Sequence, residues 1–125
     1  MVEHLHMVMP VPLHRTRLRA RGFNQSLVLA RQVSETFSLP LDFNNLVRLR
    51  ATRPQVELNG RERAENVAGA FQLRSPADIQ QKRVLLVDDV LTTGATMNEC
   101  AKTLKEAGAE AVISLTIARP MEEAL

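Results

Sequence analysis

The stretch VLLVDDVLTTGATM, residues 84 to 97, sets two adjacent carboxylates, Asp88 and Asp89, directly ahead of a run of threonine and glycine. An aliphatic run that ends in acids puts them at the carboxyl end of a strand, which is where an open α/β sheet binds its ligands. Thr92, Thr93, Gly94, Ala95 and Thr96 then make the turn into the next helix. Hydroxyls and main-chain N–H groups at a helix N-terminus form a donor set, the helix dipole favours negative charge there, and Gly94 lets the backbone approach closely. A phosphate suits such a turn. Two carboxylates beside it would repel the same phosphate unless they face sugar hydroxyls or a divalent cation. The two tools together call for a ligand that carries both a phosphate and a polyol. A purely structural acid pair capping the turn is the plain alternative, but paired exposed acids beside a donor-rich turn are costly without a ligand.

Two other chemistries begin with a similar run. A receiver domain carries its acidic pair near its start, whereas only 36 residues follow Asp89. A P-loop ATPase needs G-x-x-x-x-G-K-[ST], and none of the five glycines begins one.

The elements that must position these residues read as an α/β fold with a mainly parallel sheet. RVLLVDDV (83 to 90) has the continuous apolar character of a central strand covered on both faces. ATMNECAKTLKEAG (95 to 108) follows as a helix with Met97, Ala101, Leu104 and Ala107 along one face and Gly108 at its C-terminus. AVISLTIA (111 to 118) is a second buried strand and completes a βαβ unit. Upstream, MVMPVPL (7 to 13) is a brief or edge-like strand because Pro10 and Pro12 lack an N–H. Asn24 caps a helix to Phe37, with Phe23, Leu27, Ala30, Val33 and Phe37 at helical spacing. DFNNLVRL (42 to 49) and GAFQL (69 to 73) read as strands. Between them, residues 50 to 69 lack a period, are heavily charged and contain Pro54 and Gly60, which marks a long mobile loop.

At 125 residues and 45% hydrophobic the chain suffices for one core, so a single domain spans 1–125. Aromatics are 3%, which leaves the interior to aliphatic side chains. Residues 1 to 63 hold ten arginines against five acids, while 64 to 125 hold six basic residues against nine acids. The first half can therefore present a cationic surface and the second an acidic one. Cys100 is the only cysteine, so neither an internal disulfide nor a cysteine-based zinc site forms, in keeping with a reducing cytoplasm. The N-terminal residues lack the apolar stretch of a signal peptide and no run reaches membrane-spanning length, so a soluble cytoplasmic protein is expected. Buried Cys100 should be inert, Met7, Met9 and Met97 should fill the core, and His4 and His6 should belong to a disordered end.

VLLVDDVLTTGATM closely resembles the phosphoribosyl pyrophosphate (PRPP) signature of type I phosphoribosyltransferases. PVPLHRTRLRARGFNQS (10 to 26), followed by RATRPQVELNGRERAENVAGAF (50 to 71), looks like the ComF/GntX family of competence-associated phosphoribosyltransferase-like proteins. The resemblance implies that Asp88 and Asp89 contact the ribose hydroxyls and, directly or through water, Mg²⁺, and that Thr92 to Thr96 cradle the 5-phosphate. It also implies that His14 and Arg15 lie near the pyrophosphate and that the 50 to 69 segment closes over the site, with Arg61 and Arg63 neutralising charge. Family members typically begin with a cysteine-rich segment of zinc-binding type, which has no counterpart in this sequence. The activity implied is Mg²⁺-dependent transfer of phosphoribosyl to an acceptor the sequence does not name. Two alternatives stand beside it: a non-catalytic sensor of PRPP or a nucleotide, and a module for single-stranded DNA or a competence helicase, with Arg15, Arg17, Arg19 and Arg21 tracking phosphates. Phe23 is the lone stacking aromatic in that basic stretch, which is poor for a single-strand platform.

Overall fold

Alternate side chains of a strand leave its opposite faces, so the run Val84-Leu85-Leu86-Val87 can be buried throughout only if both faces are covered. A computed structural model of the chain, which describes residues 4–13, 19, 22–49, 61, 67–89 and 94–116, has that arrangement. Its elements are β1 (Met7–Pro10), α1 (Gln25–Phe37), β2 (Leu46–Arg48), β3 (Phe71–Leu73), a 3-10 turn over Pro76–Ile79, β4 (Arg83–Asp88), α2 (Ala95–Glu106) and β5 (Ala111–Thr116). Among the described residues, β1, β4 and β5 form a parallel sheet with β4 in the middle. Val84 and Leu86 pack into one core with Met97, Cys100 and Leu104 of α2, whereas Leu85 and Val87 pack into a second with Ala30 of α1. At roughly 1.5–3 kcal/mol for each fully buried aliphatic side chain, this strand alone ties the two layers together.

β1 pairs with β4 from Met7↔Val84 to Pro10↔Val87, and the ladder continues on either side through His6 N–H to Arg83 O (2.8 Å) and Val11 N–H to Val87 O (2.9 Å). Pro10 is tolerated because its nitrogen occupies the outward side of the strand, as Val8 does, whose amide donates to Pro40 O at 2.9 Å. Leu41 bridges to Val8 along that outer edge.

α1 starts where the Asn24 side chain accepts from Ser26 N–H (3.0 Å) and ends at Ser38, whose φ of 54° is left-handed. The face it buries shares Ala30 and Val33 with the expected one but leaves out Phe23 and Phe37. Ser26 and Ala30 are buried with Leu29 and Val33 beside them, while Phe23 and Phe37 are each 49% exposed. Small residues at 26 and 30 let the helix sit close to the sheet, and the Phe23 side is turned away from it.

The expected strand over 42–49 shortens to β2, which pairs antiparallel with β3 from Leu46↔Leu73 to Arg48↔Phe71. Asn45 explains the shortening. Its buried side chain holds both main-chain groups of Ser75, accepting from the N–H at 2.8 Å and donating to the O at 3.1 Å, and Asp42 N–H turns to Val8 O at 2.9 Å. The 3-10 turn inserts Ile79 into the α2-side core. Of the long loop expected over 50–69, residues 50–60 and 62–66 lie outside the described residues.

α2 ends as expected, with Gly108 at φ 100° just past its cap. Cys100 is fully buried on its packed face, and burial pushes its thiol up, away from reactivity. β5 is only half-buried, with Ser114 exposed, because among the described strands it forms the sheet edge. His4 and His6 are not a loose end: Arg83 N–H donates to His6 Nδ1 at 2.8 Å and the Arg83 guanidinium donates to His4 O, so the strand register fixes them. No helix among the described residues is long and apolar enough to cross a membrane.

Candidate functional site

Asp88 is the last residue of β4, level with Thr116 of β5, at the carboxyl end of all three parallel strands. α1 begins beside it for a local reason. Asn24 Nδ2 donates to Val11 O at 3.2 Å, which pins the start of the helix over the end of β1. Ser26, in the first turn, is thereby carried to the neighbouring strand, where its hydroxyl donates to Asp88 Oδ1 at 2.8 Å. The Asp89 N–H donates to the same oxygen at 2.8 Å. One carboxylate oxygen is thus fixed by two donors.

Burial raises the Asp88 carboxyl from its usual 3.8 to about 6. The bonds from Ser26 and the Asp89 amide oppose that rise, and the adjacent Asp89 charge adds to it. At neutral pH the group is an oriented anion on the verge of protonation, suited to accept hydrogen bonds from hydroxyls or to meet a cation.

Six residues further on, Gly94 opens α2 with φ 85° and ψ 0°, and its O accepts from Asn98 N–H at 2.7 Å. A Cβ at that φ would be strained, so the turn needs glycine. Ala95 and Thr96 follow in the first turn, both half-buried. Of the residues expected at the site, the structure therefore brings Asp88 and Asp89 together on one strand end and places Gly94, Ala95 and Thr96 at the head of the helix packed against that strand. Thr92, Thr93, His14, Arg15 and Arg63 lie outside the described residues, as do Arg17 and Arg21 of the basic stretch. Arg61 and Arg19 are described and exposed.

Among the described residues, no group of three or more His, Cys, Asp or Glu side chains could hold a metal ion. Two neighbouring carboxylates are nevertheless the usual protein share for Mg²⁺, which keeps several waters and takes its other oxygens from substrate phosphates. The donor set fits an Mg²⁺ that arrives with its substrate.

Ser26 was not among the residues singled out by sequence. Its signal is readable afterwards: a hydroxyl on the stripe 26, 30, 33 that is otherwise small or apolar, on the face the helix buries. What it bonds to is 62 positions away, and no local pattern encodes that.

Residues 24–125 match the family model of the phosphoribosyl transferase domain. The chain is 40% identical over 114 residues to competence protein F of Haemophilus influenzae, covering 90% of this chain and 49% of that protein. It is 40% identical over 105 residues to the DNA utilization protein YhgH of Escherichia coli K12, covering 84% of this chain and 45% of that protein. Over 109 residues it is 34% identical to competence protein ComFC of Streptococcus pneumoniae, covering 87% of this chain and 46% of that protein. The chain spans about half the length of these curated relatives.

Proposed function

The chain belongs to the phosphoribosyl transferase domain family, and from that premise we propose that it binds PRPP with Mg²⁺ and transfers its phosphoribosyl group to an acceptor. The observation that carries the reading is the Asp88 carboxylate, held by Ser26 and the Asp89 amide at the end of the central parallel strand, six residues ahead of a left-handed glycine that opens a helix. In this reading Asp88 and Asp89 accept hydrogen bonds from the ribose 2- and 3-hydroxyls, and the turn from Thr92 to Thr96 takes the 5-phosphate. Transfer breaks the bond from ribose C1 to the pyrophosphate oxygen and forms one from C1 to the acceptor's nucleophilic atom. Departure of pyrophosphate leaves positive charge on the ring and negative charge on the leaving group. Mg²⁺, held by Asp88 and Asp89 directly or through water, supplies neutralisation of the pyrophosphate when bound. His14, Arg15, Arg61 and Arg63 serve the same leaving group, and the segment from 50 to 69 excludes water that would compete for C1.

The names of the relatives concern competence and DNA utilization. We place this chemistry in the handling of incoming DNA on that basis.

Titration calorimetry with PRPP and Mg²⁺ tests the reading. Wild type should bind, and Asp88→Asn/Asp89→Asn should bind at least about tenfold more weakly, as expected for two lost charge-assisted contacts. Equal or absent heats in both proteins would reject it. Release of pyrophosphate on adding candidate acceptors then separates transfer from sensing.

A further inference from the structure

The chain has four phenylalanines and no other aromatic residue, yet only Phe71 is buried among them. Phe23 and Phe43 are 49% and 58% exposed, and both line one cavity of about 680 Å³ between the outer side of α1 and the β2 end of the hairpin. Arg31, Arg48 and Arg74 line the same cavity, and among the described residues no aspartate or glutamate does. Among the described residues, neither Arg31 nor Arg74 has an ion pair or a side-chain hydrogen bond. The Arg48 guanidinium lies over the Phe71 ring, 4.8 Å from its centroid, which holds its charge in place at the cavity wall.

Arg31 and Arg74 bring two positive charges to one concavity, where a single anion can meet both. Phe43, more than half exposed in a chain so short of aromatics, presents a flat apolar face to the cavity. The volume falls in the range of small-molecule sites, and guanidinium planes stack on aromatic ligands as well as pair with phosphate. Exposed Asn44 adds an amide able to donate and accept at a ring edge.

We infer that this cavity is a second binding site, distinct from the acid pair, for a planar heteroaromatic ligand that carries negative charge, of the mononucleotide class. The ring lies against Phe23 and Phe43, and the phosphate meets Arg31 and Arg74. This site uses no atom of Asp88, Asp89 or the turn before α2.

The probe is thymidine 3′-monophosphate, which has neither the 5′-phosphate nor the vicinal diol that the strand-end site would take. Calorimetry on the full chain should give one molecule bound per chain. Arg31→Gln/Arg74→Gln should weaken binding about tenfold or more, and Phe43→Leu, which keeps apolar bulk but removes the ring, about fivefold. Asp88→Asn should leave it unchanged, and neutral thymidine should bind about tenfold more weakly than its phosphate. Circular-dichroism melts confirm that each variant is folded, and PRPP titrated into the arginine variant should behave as in wild type. No heat up to millimolar probe, equal binding of thymidine and its phosphate, loss on Asp88→Asn alone, or binding only of a long oligothymidylate would each overturn the inference. Failure of PRPP to bind alongside tight binding of the probe would remove the strand-end reading and leave this one standing.

Discussion

Asp88 carries an electrostatic cost for its burial at the end of β4. Its carboxyl titrates near 6 in the fold against 3.8 for the ordinary group, so between these values the folded chain holds more protons than the unfolded one. Stability therefore falls as pH rises from about 4 to about 6 and then stays level, with a total cost on the order of 3 kcal/mol. Asp88→Asn keeps the shape and the two donors' acceptor but removes the charge. Urea denaturation should find it more stable than wild type at pH 7, by up to about 3 kcal/mol, with the advantage gone below pH 4. Ser26 acts in the opposite sense. Ser26→Ala removes a donor to the ionised form, so the Asp88 titration followed by carbon NMR should move above 6, and stability at pH 7 should drop by about 1–3 kcal/mol while changing less at pH 4.5. A variant that left the titration in place would show that the bond contributes nothing to holding the charge.

At the level of elements, α1 is the part that couples sequence to site. Asn24 satisfies the first turn and simultaneously ties it to Val11 O, so Asn24→Ala should cost more than an ordinary cap, at or above the upper part of the usual range of about 0.5–2 kcal/mol in thermal melts. It should also disturb the Asp88 titration, because Ser26 loses its anchor; an unchanged titration would mean that packing of Ala30 alone positions the helix. The helix itself was legible from Asn24 and the apolar spacing. Its rotation was not, because Phe23 and Phe37 score as core by type although they face outward, and small Ser26 and Ala30 win the sheet contact by fitting it. β4 was the easiest element to read, since four consecutive aliphatics before two acids leave little choice. β5 looked equally apolar and proved half-buried, because apolar content does not tell a middle strand from an edge. His4 and His6 were misread for a related reason: the partner that fixes them, Arg83, lies in a strand 77 positions from His6. Asp88, Asp89 and Gly94 were legible because strand end, acid pair and turn are contiguous in the chain.

For the molecule as a whole, the described sheet is anchored by β4, while the short hairpin of β2 and β3 forms a separate ladder that joins the core through Leu46, Phe71 and Leu73. Native-state hydrogen exchange should find the β4 amides opening only with global unfolding. Those of β2 and β3, three residues each and closed by Leu49 N–H to Ala70 O, should exchange through a smaller opening. Equal protection in both would mean that the hairpin belongs to the same cooperative unit. The alternation along β4 has one more consequence. Leu86 and Val87 are joined by a peptide bond, yet each answers to a different set of neighbours, so the sheet works as a partition between two compartments. A double-mutant cycle on Leu86→Ala and Val87→Ala should return a coupling energy close to zero, within about 0.5 kcal/mol, despite their adjacency. Drift in the aliphatics under α2 can then proceed without asking for matching change beneath α1, and the acid pair at the rim keeps its footing while either room is refurnished.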